Sequence, residues 1–572
     1  MLKLLKKYRK ECVLAPTFKL LEACFDLTVP IVVAAVIDNG INGDGGSSYI
    51  IKMVFILVAL AAVGMAVATA AQYFAAKAAV GFSGDVREEL FKKIQTFSYS
   101  ELDSLGTSSM ITRMTSDVNQ LQTGINLFLR LFLRAPVIVF GAMIMAFVIN
   151  AHIALIFVVA IALLFAVVYG VMFLTVPLYK KSQADLDSLL LLTRENLDGA
   201  RVIRAFAAEE REIADFDKKN AALTKMQYFV GKISALMNPL TYMIINFAVI
   251  ALIYFGSRQI DGGIILQGSL VALYSYMAQI LVELIKFANL IVTMSKTAAS
   301  KKRIDEIMRI EPERTGSDIS DISQKIGDAA VSFDNVSLRY GTGGDDVLSN
   351  ISFDVRRGET VGIIGGTGSG KTSLINLIPH FYDATGGTVY VYGIPVERYD
   401  SQTLLQKIGI VPQKAVLFKG TVRDNIKWGN ENASDDEIID AIKLAQGYDI
   451  IEKSGGLDRE IEQDAKNLSG GQRQRLTIAR ALIKKPEILI LDDSASALDY
   501  ATDAALRRAI KTVDATVFIV SQRASAVMGA DKIIVMNDGE ICGIGTHDEL
   551  IRSCPTYREI YFSQYPEKEA DA

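Results

Sequence analysis

Apolar residues run almost unbroken through six stretches, at about 14–37, 51–76, 127–149, 153–177, 236–256 and 264–292. Each is long enough to cross a hydrocarbon core, which needs about 20 helical residues. The polar segments between them alternate in length and charge. Asp38 to Tyr49 carries no Lys or Arg, Asn150 to His152 is a tight turn, and Ser257 to Gly263 holds only Arg258. The connections at about 77–126 and 178–235 are long and basic, and Lys3, Lys6, Lys7, Arg9 and Lys10 precede the first span. The positive-inside rule places these segments, and with six spans both termini, in the cytoplasm of a multi-pass protein of the cell membrane. The long connections hold only isolated Gly, with Pro177 at an edge, and their periodicity is helical. One helix from Ile50 to about Ser100 would extend about 75 Å against a core of about 30 Å, so roughly half should project into the cytoplasm.

Beyond residue 300 the pattern changes. Lys301 to about Gln324 is charged and polar and reads as part of a linker over 301–328. From Ala330 short strands begin, in VSFDNVSLRY and ISFDVRRG. Thr360 to Ile364 is an apolar run of the kind that makes a buried strand. Gly365 to Thr372 then spells G-x-x-x-x-G-K-T, and Ser373 opens a helix. Strand, glycine loop and helix in that order make a phosphate-binding loop. Backbone N–H groups of Gly365, Thr367, Gly368, Ser369 and Gly370 can curl around phosphate oxygens at a positive helix end that Ser373 extends. Lys371 can reach the β- and γ-phosphates, and the Thr372 hydroxyl can sit on Mg²⁺. ATP and Mg²⁺ are the implied ligands.

Composition narrows the classes. Half of the 572 residues are hydrophobic, and the net charge of −4 argues against a nucleic-acid-binding surface. Cys12, Cys24, Cys542 and Cys554 show no metal-ligand spacing, and His152, His380 and His547 are scattered. The first apolar stretch lacks a small-residue cleavage site, so no cleaved secretory signal is predicted.

Two further motifs bring in a family. Leu468 to Leu482 reads LSGGQRQRLTIARAL and Ile488 to Asp499 reads ILILDDSASALD. With the phosphate loop, these resemble the signature and Walker B motifs of ATP-binding cassette (ABC) proteins. The resemblance implies a membrane helical bundle over 1–300, the linker, and an α/β nucleotide-binding domain over 329–565. That domain would carry an antiparallel β subdomain and a helical subdomain, with a polar tail over 566–572. In this family Asp492 holds Mg²⁺, Gln413 in IVPQKAVLF reaches it, and Tyr340 stacks on adenine. Ser469, Gly470, Gly471 and Gln472 close on the ATP held by a second cassette, and Asp499 belongs to the nucleotide-contacting set. Ile111–Val118 and Glu195–Phe206 look like the intracellular helices of ABC exporters, with coupling helices near Phe97–Ser104 and Ala205–Glu212. Trp428, the only tryptophan, reads as packing in the helical subdomain, and His380 and His547 read as structural. After Ile560 the chain is expected to fray.

The chain departs from the family at two catalytic positions. Asp493 stands where Glu normally acts as general base, and Gln522, in TVFIVSQR, stands where the family has His. The shorter carboxylate should stop about 1 Å short of the attacking water, a misplacement that can cost about 10²-fold. Gln can hydrogen-bond but cannot gain a proton. A third departure is EIEQDAKN, Glu460 to Asn467, in place of a glycine-bearing stretch before the signature. A weak base beside an intact signature resembles the degenerate-site subunit of a heterodimeric multidrug-type exporter. Such a chain works in a lipid bilayer on a small-molecule substrate, with a second half-transporter as partner. A non-transporting nucleotide-binding channel regulator and an importer on the exporter fold remain open. No domain is expected before the first span, which would argue against a peptide exporter with a fused protease. Glu22 and Asp26 share one face of the first span, and pairing with Arg130, Arg134 or Lys286 is expected over a role in substrate choice.

Overall fold

The computed structural model describes residues 2–310, 328–341, 343–452 and 455–566. The expected linker over 311–327 and the tail over 567–572 lie outside the described residues. The chain forms two units, Met1–Gln95 with Ser108–Glu311, and Thr96–Thr107 with Pro312–Ala572.

Among the described residues, the first unit has six helical stretches long and apolar enough to span a membrane: Lys6–Ile41, Gly46–Ile94, Thr107–Ile149, Ala151–Asp198, Glu209–Asp261 and Gln267–Arg309. Gly46–Ile94 is one helix of 49 residues; it ends before the expected Ser100, which falls in the separate helix Tyr99–Leu105. Asn150 turns the chain by capping the next helix, its side-chain oxygen accepting from the N–H groups of His152 and Ile153. Two further expectations shift. The helix of the last span runs past the expected domain boundary at residue 300, through Arg309, because Ile304 and Ile307 stay buried on one helical face. The second cytoplasmic turn has its short helix at Ala200–Ala205, not at Ala205–Glu212; Ala207 adopts φ +48, which ends the helix before Glu209 starts the next. Arg303 donates to both carboxylate oxygens of Asp117, tying the third stretch to the last.

Arg134 gathers the carboxylates of the first span into a charge cluster larger than the sequence suggests. Arg134 donates to Asp26 at 2.9 Å and to Glu283 at 2.8 Å, and lies 3.7 Å from Glu22. Lys286 holds Glu283 at 2.8 Å, not a first-span carboxylate, and Lys19 holds Glu22 at 2.5 Å. Arg130 turns to Asn126 instead. Glu283 and Lys19 are the members that the sequence reading did not name.

The second unit is built on a six-stranded sheet. Its strand order is Glu540–Gly545, Lys532–Asn537, Thr360–Gly365, Thr516–Val520, Ile488–Asp492 and Ile408–Val411. All neighbours are parallel except the Glu540–Gly545 edge. Ile488–Asp492 is buried at every position, the continuous apolar run that a parallel sheet covered on both faces requires. A separate sheet of Ala329–Leu338, Leu348–Arg356, Gly386–Val391 and Ile394–Pro395 is antiparallel and forms the β subdomain. Helices Val422–Lys427, Asp435–Leu444, Tyr448–Glu452 and Gly470–Leu482 make the helical subdomain, with Ile426, Ile438, Ile442, Ile450, Leu476 and Ile478 in its core. Trp428 is not in that core: it is 68% exposed and stacks on Phe418 at 4.5 Å, because it falls just past the end of its helix. The end of the chain does not fray at Ile560. The helix Pro555–Gln564 buries Tyr557, Tyr561 and Phe562 against Ile364, Ala524 and Val535.

Candidate nucleotide-binding site

Three neighbouring strands deliver the site. Ile363 pairs with Val520, and Val520 pairs with Asp492, so Gly365, Ser521 and Asp492 leave the sheet side by side at its carboxyl edge. That edge is where parallel sheets bind ligands. Backbone bonds lock the three exits: Ser521 N–H donates to Ile363 O at 3.1 Å and Asp493 N–H to Val520 O at 2.9 Å.

The loop after Ile364 needs its glycines. A Cβ on Gly365 would come within 2.2 Å of Met536 O and 2.6 Å of Ser369 Oγ. Gly370 holds φ +92, a conformation that side chains rarely adopt, immediately before the helix that Lys371 begins. Lys371 is buried and folds back over the loop. Its ammonium donates to Gly365 O at 3.0 Å, to Ser369 Oγ at 3.2 Å and to Gly366 O. Burial pushes its pKa down, against Asp492 and Asp493, which raise it. Thr372 Oγ1 donates to Asp492, 3.0 and 3.3 Å from its two carboxylate oxygens. Burial raises the pKa of Asp492, against the Thr372 hydrogen bond and Lys371, which lower it. Burial also raises that of Asp493, opposed by Arg523, Lys371 and a hydrogen bond from Gln413.

One cavity gathers Thr367, Gly368, Gly370, Lys371, Thr372, Ser373, Gln413, Asp492, Asp493 and Gln522, with Val347, Val520 and Ser521. A backbone cradle, a buried ammonium and a hydroxyl against a carboxylate fit a nucleotide triphosphate with Mg²⁺. Thr372, Asp492 and Gln413 would hold the metal, and Lys371 and the loop N–H groups the phosphates. Tyr340 does not line this cavity. It is half-exposed beside the phosphate-loop helix, and its hydroxyl donates to Ser373 Oγ at 3.0 Å.

Ser469, Gly470, Gly471 and Gln472 do not line the cavity either. Ser469 caps the helix Gly470–Leu482, with Ser469 Oγ accepting from Gln472 N–H and Gln472 Oε1 from Ser469 N–H, and its start is exposed. Asp499 caps the helix Tyr500–Ile510. In the stretch before the signature, Asp464 and Ala465 adopt φ +59 and +51, so the backbone turns as glycine would without glycine being present.

Motif reading missed Gln564. It accepts from Ala524 N–H and donates to the carbonyl of Gln522, each within 2.9 Å, and so fixes the backbone that leaves Gln522, on either side of Arg523. No motif marks it; the only signal is the apolar Tyr561–Phe562 pair beside it, which argues for a docked helix. His380 lies against Asp383 and His547 against Tyr557.

The comparisons agree with this architecture. The family model for the ABC transporter transmembrane region matches residues 13–284, and that for the ABC transporter domain matches 348–496. The chain belongs to the ABC transporter family. An uncharacterized ABC transporter ATP-binding protein of Bacillus subtilis is 37% identical over 99% of this chain and 98% of its own length. A putative multidrug export ATP-binding/permease protein of the same organism is 30% identical over 98% of each chain. An ATP-dependent lipid A-core flippase of Syntrophus aciditrophicus is 30% identical over 84% of this chain and 80% of its own. The structure of a bacterial Atm1-family ABC exporter with ATP bound superposes with a TM-score of 0.79 over 97% of this chain and 98% of that one, at 22% identity, and shows the shared fold. The protein is therefore a multi-pass membrane protein with a cytoplasmic nucleotide-binding domain, an ABC transporter that couples ATPase chemistry to transport across the bilayer.

Proposed function

We propose that this chain is one subunit of a heterodimeric ABC exporter for small amphipathic molecules, drugs, lipids or peptides. Its own phosphate-loop site binds ATP and hydrolyses it poorly, while its signature completes the partner's competent site. The observation that carries this reading is the pair Asp493 and Gln522 in the same cavity as an intact Lys371, Thr372, Gln413 and Asp492. Binding needs the second set and hydrolysis the first. Lys371 and the loop amides would neutralise the β- and γ-phosphates, and Thr372 and Asp492 would hold Mg²⁺, whose charge assists the leaving phosphate oxygen. Asp493 carries a carboxylate one methylene short of the attacking water, and Gln522 offers only an amide to the γ-phosphate. The exposed signature start, outside its own chain's cavity, supports a role on a second cassette. Ser469 and the N–H groups of Gly470 and Gly471 would then cap that site's γ-phosphate. Relatives described as a multidrug exporter and a lipid A-core flippase support an amphipathic substrate.

The test is restoration. In a complex whose partner lacks its catalytic carboxylate, Asp493→Glu with Gln522→His should raise ATP turnover by about 10²-fold, the contribution of a placed base. Full turnover in that complex without the two substitutions would show the native site to be competent and end the reading.

A further inference from the structure

The surroundings of Tyr340 hold a set of contacts that the phosphate chemistry does not use. The turn between the second and third membrane stretches, Thr96–Thr107, folds with the nucleotide-binding unit. It contains the short helix Tyr99–Leu105, capped by Ser98 and Glu101. Tyr99 stacks on Phe381 with ring centres 4.0 Å apart and planes 20° from parallel. Asp103 accepts a hydrogen bond from the Tyr382 hydroxyl at 2.7 Å. The Tyr382 ring stands edge-on to the Tyr340 ring, 5.0 Å between centres at 82°. Tyr340 in turn donates to Ser373, on the helix that begins with Lys371.

Phe381 and Tyr382 are fixed to that same helix. The helix Lys371–Asn376 ends in a turn in which His380 takes φ +56, and Phe381 N–H returns to Asn376 O at 3.0 Å. The left-handed residue reverses the chain and presents the two rings beside Tyr340. Tyr340 is therefore held at two points, its hydroxyl by Ser373 and its ring by Tyr382, and Tyr382 is itself held by Asp103. Burial and Asp103 both raise the Tyr382 pKa, so the phenol stays a donor throughout the working pH range.

We propose that Tyr382 is a positioning residue for nucleotide binding, aiming the Tyr340 ring at the adenine, and that Asp103, in the turn between two membrane helices, sets the position of Tyr382. The inference rests on the reading of Tyr340 as the adenine-stacking residue. The chain of contacts is Tyr340, Tyr382, Asp103, all within the nucleotide-binding unit.

The test compares Mg-ATP with Mg-tripolyphosphate, which lacks the base, on the full-length chain in lipid nanodiscs. Tyr382→Ala should weaken ATP binding about threefold to tenfold, the range of one aromatic edge contact, and leave tripolyphosphate within about twofold. Asp103→Ala should shift the ATP-to-tripolyphosphate ratio in the same direction. Asp103→Asn, whose amide oxygen still accepts from Tyr382, should restore it. An equal loss for both ligands in Tyr382→Ala would mean damage to the fold and overturn the positioning role. An unchanged ratio in Tyr382→Ala, with a clear loss in Tyr340→Ala, would overturn this inference alone. An unchanged ratio in Tyr340→Ala would overturn the adenine reading and this inference with it.

Discussion

Replacing Arg134 by Met should be among the most damaging single changes in the membrane domain. Its side chain is 14% exposed and bonds two carboxylates, Asp26 at 2.9 Å and Glu283 at 2.8 Å. At an effective dielectric of about 20, each contact is worth about 6 kcal/mol of gross attraction, most of it offset by desolvation. What remains when one partner of a buried pair is removed is a loss of about 3–5 kcal/mol, because the other charge stays buried. The six charges Lys19, Arg134, Lys286, Glu22, Asp26 and Glu283 balance, and Arg134→Met leaves the cluster at −1. Asp26→Asn should cost much less, about 1 kcal/mol, since that side chain is 43% exposed and loses one partner. Glu283→Gln should fall between, because its 4% exposed carboxylate serves both Arg134 and Lys286. The double variant Arg134→Met with Glu283→Gln restores neutrality and should be more stable than Arg134→Met alone. Apparent melting by loss of monodisperse protein in detergent would rank the four. Equal stability of Arg134→Met and the parent, or a double variant worse than either single, would refute the reasoning. Normal assembly with altered substrate preference in Asp26→Asn would move that carboxylate from architecture to recognition.

Three further outcomes follow from the same geometry. Burial raises the pKa of Asp492, so its contribution to nucleotide-free stability is full below the ordinary carboxylate range and is lost as pH rises through the raised value. Asp492→Asn should therefore stabilise the nucleotide-free protein at pH 8 more than at pH 5, while abolishing stabilisation by Mg-ATP; thermal scans at the two pH values check both. Asp464 is exposed at φ +59, so Asp464→Gly should stabilise the nucleotide-binding unit by about 0.5–1 kcal/mol, read from denaturant midpoints. A cysteine at Ser47 should label from outside intact cells and one at Ser100 should not.

The long helices and the phosphate loop were legible because each rests on a local rule. An apolar run of more than 20 residues has few fates, and a strand followed by GxxxxGKT has few others. The partners of Arg134 were only partly legible. Periodicity places Glu22 and Asp26 on one face, but which cation meets them depends on how helices far apart in the chain pack, and Glu283 looks like any isolated glutamate. Gln564 and Tyr382 were invisible for the same reason: their roles are contacts with backbone or rings distant in sequence. Trp428 misled because tryptophan is usually buried, whereas the end of its helix leaves this one on Phe418 at the surface. The stretch before the signature lost its glycines, yet Asp464 and Ala465 keep the left-handed turn, a feature of backbone angles that composition does not display.

The proposed asymmetry of two ATP sites in a heterodimer is tested most directly by steady-state ATPase activity of the purified complex. Asp493→Asn in this chain should change turnover little, since on the proposed reading the base it removes is already misplaced. Removing the partner's catalytic Glu should nearly abolish it, and Ser469→Ala here should lower it strongly, by taking a γ-phosphate donor from the competent site. A loss in Asp493→Asn as large as that in the partner's variant would contradict the account, as would full turnover by this chain alone.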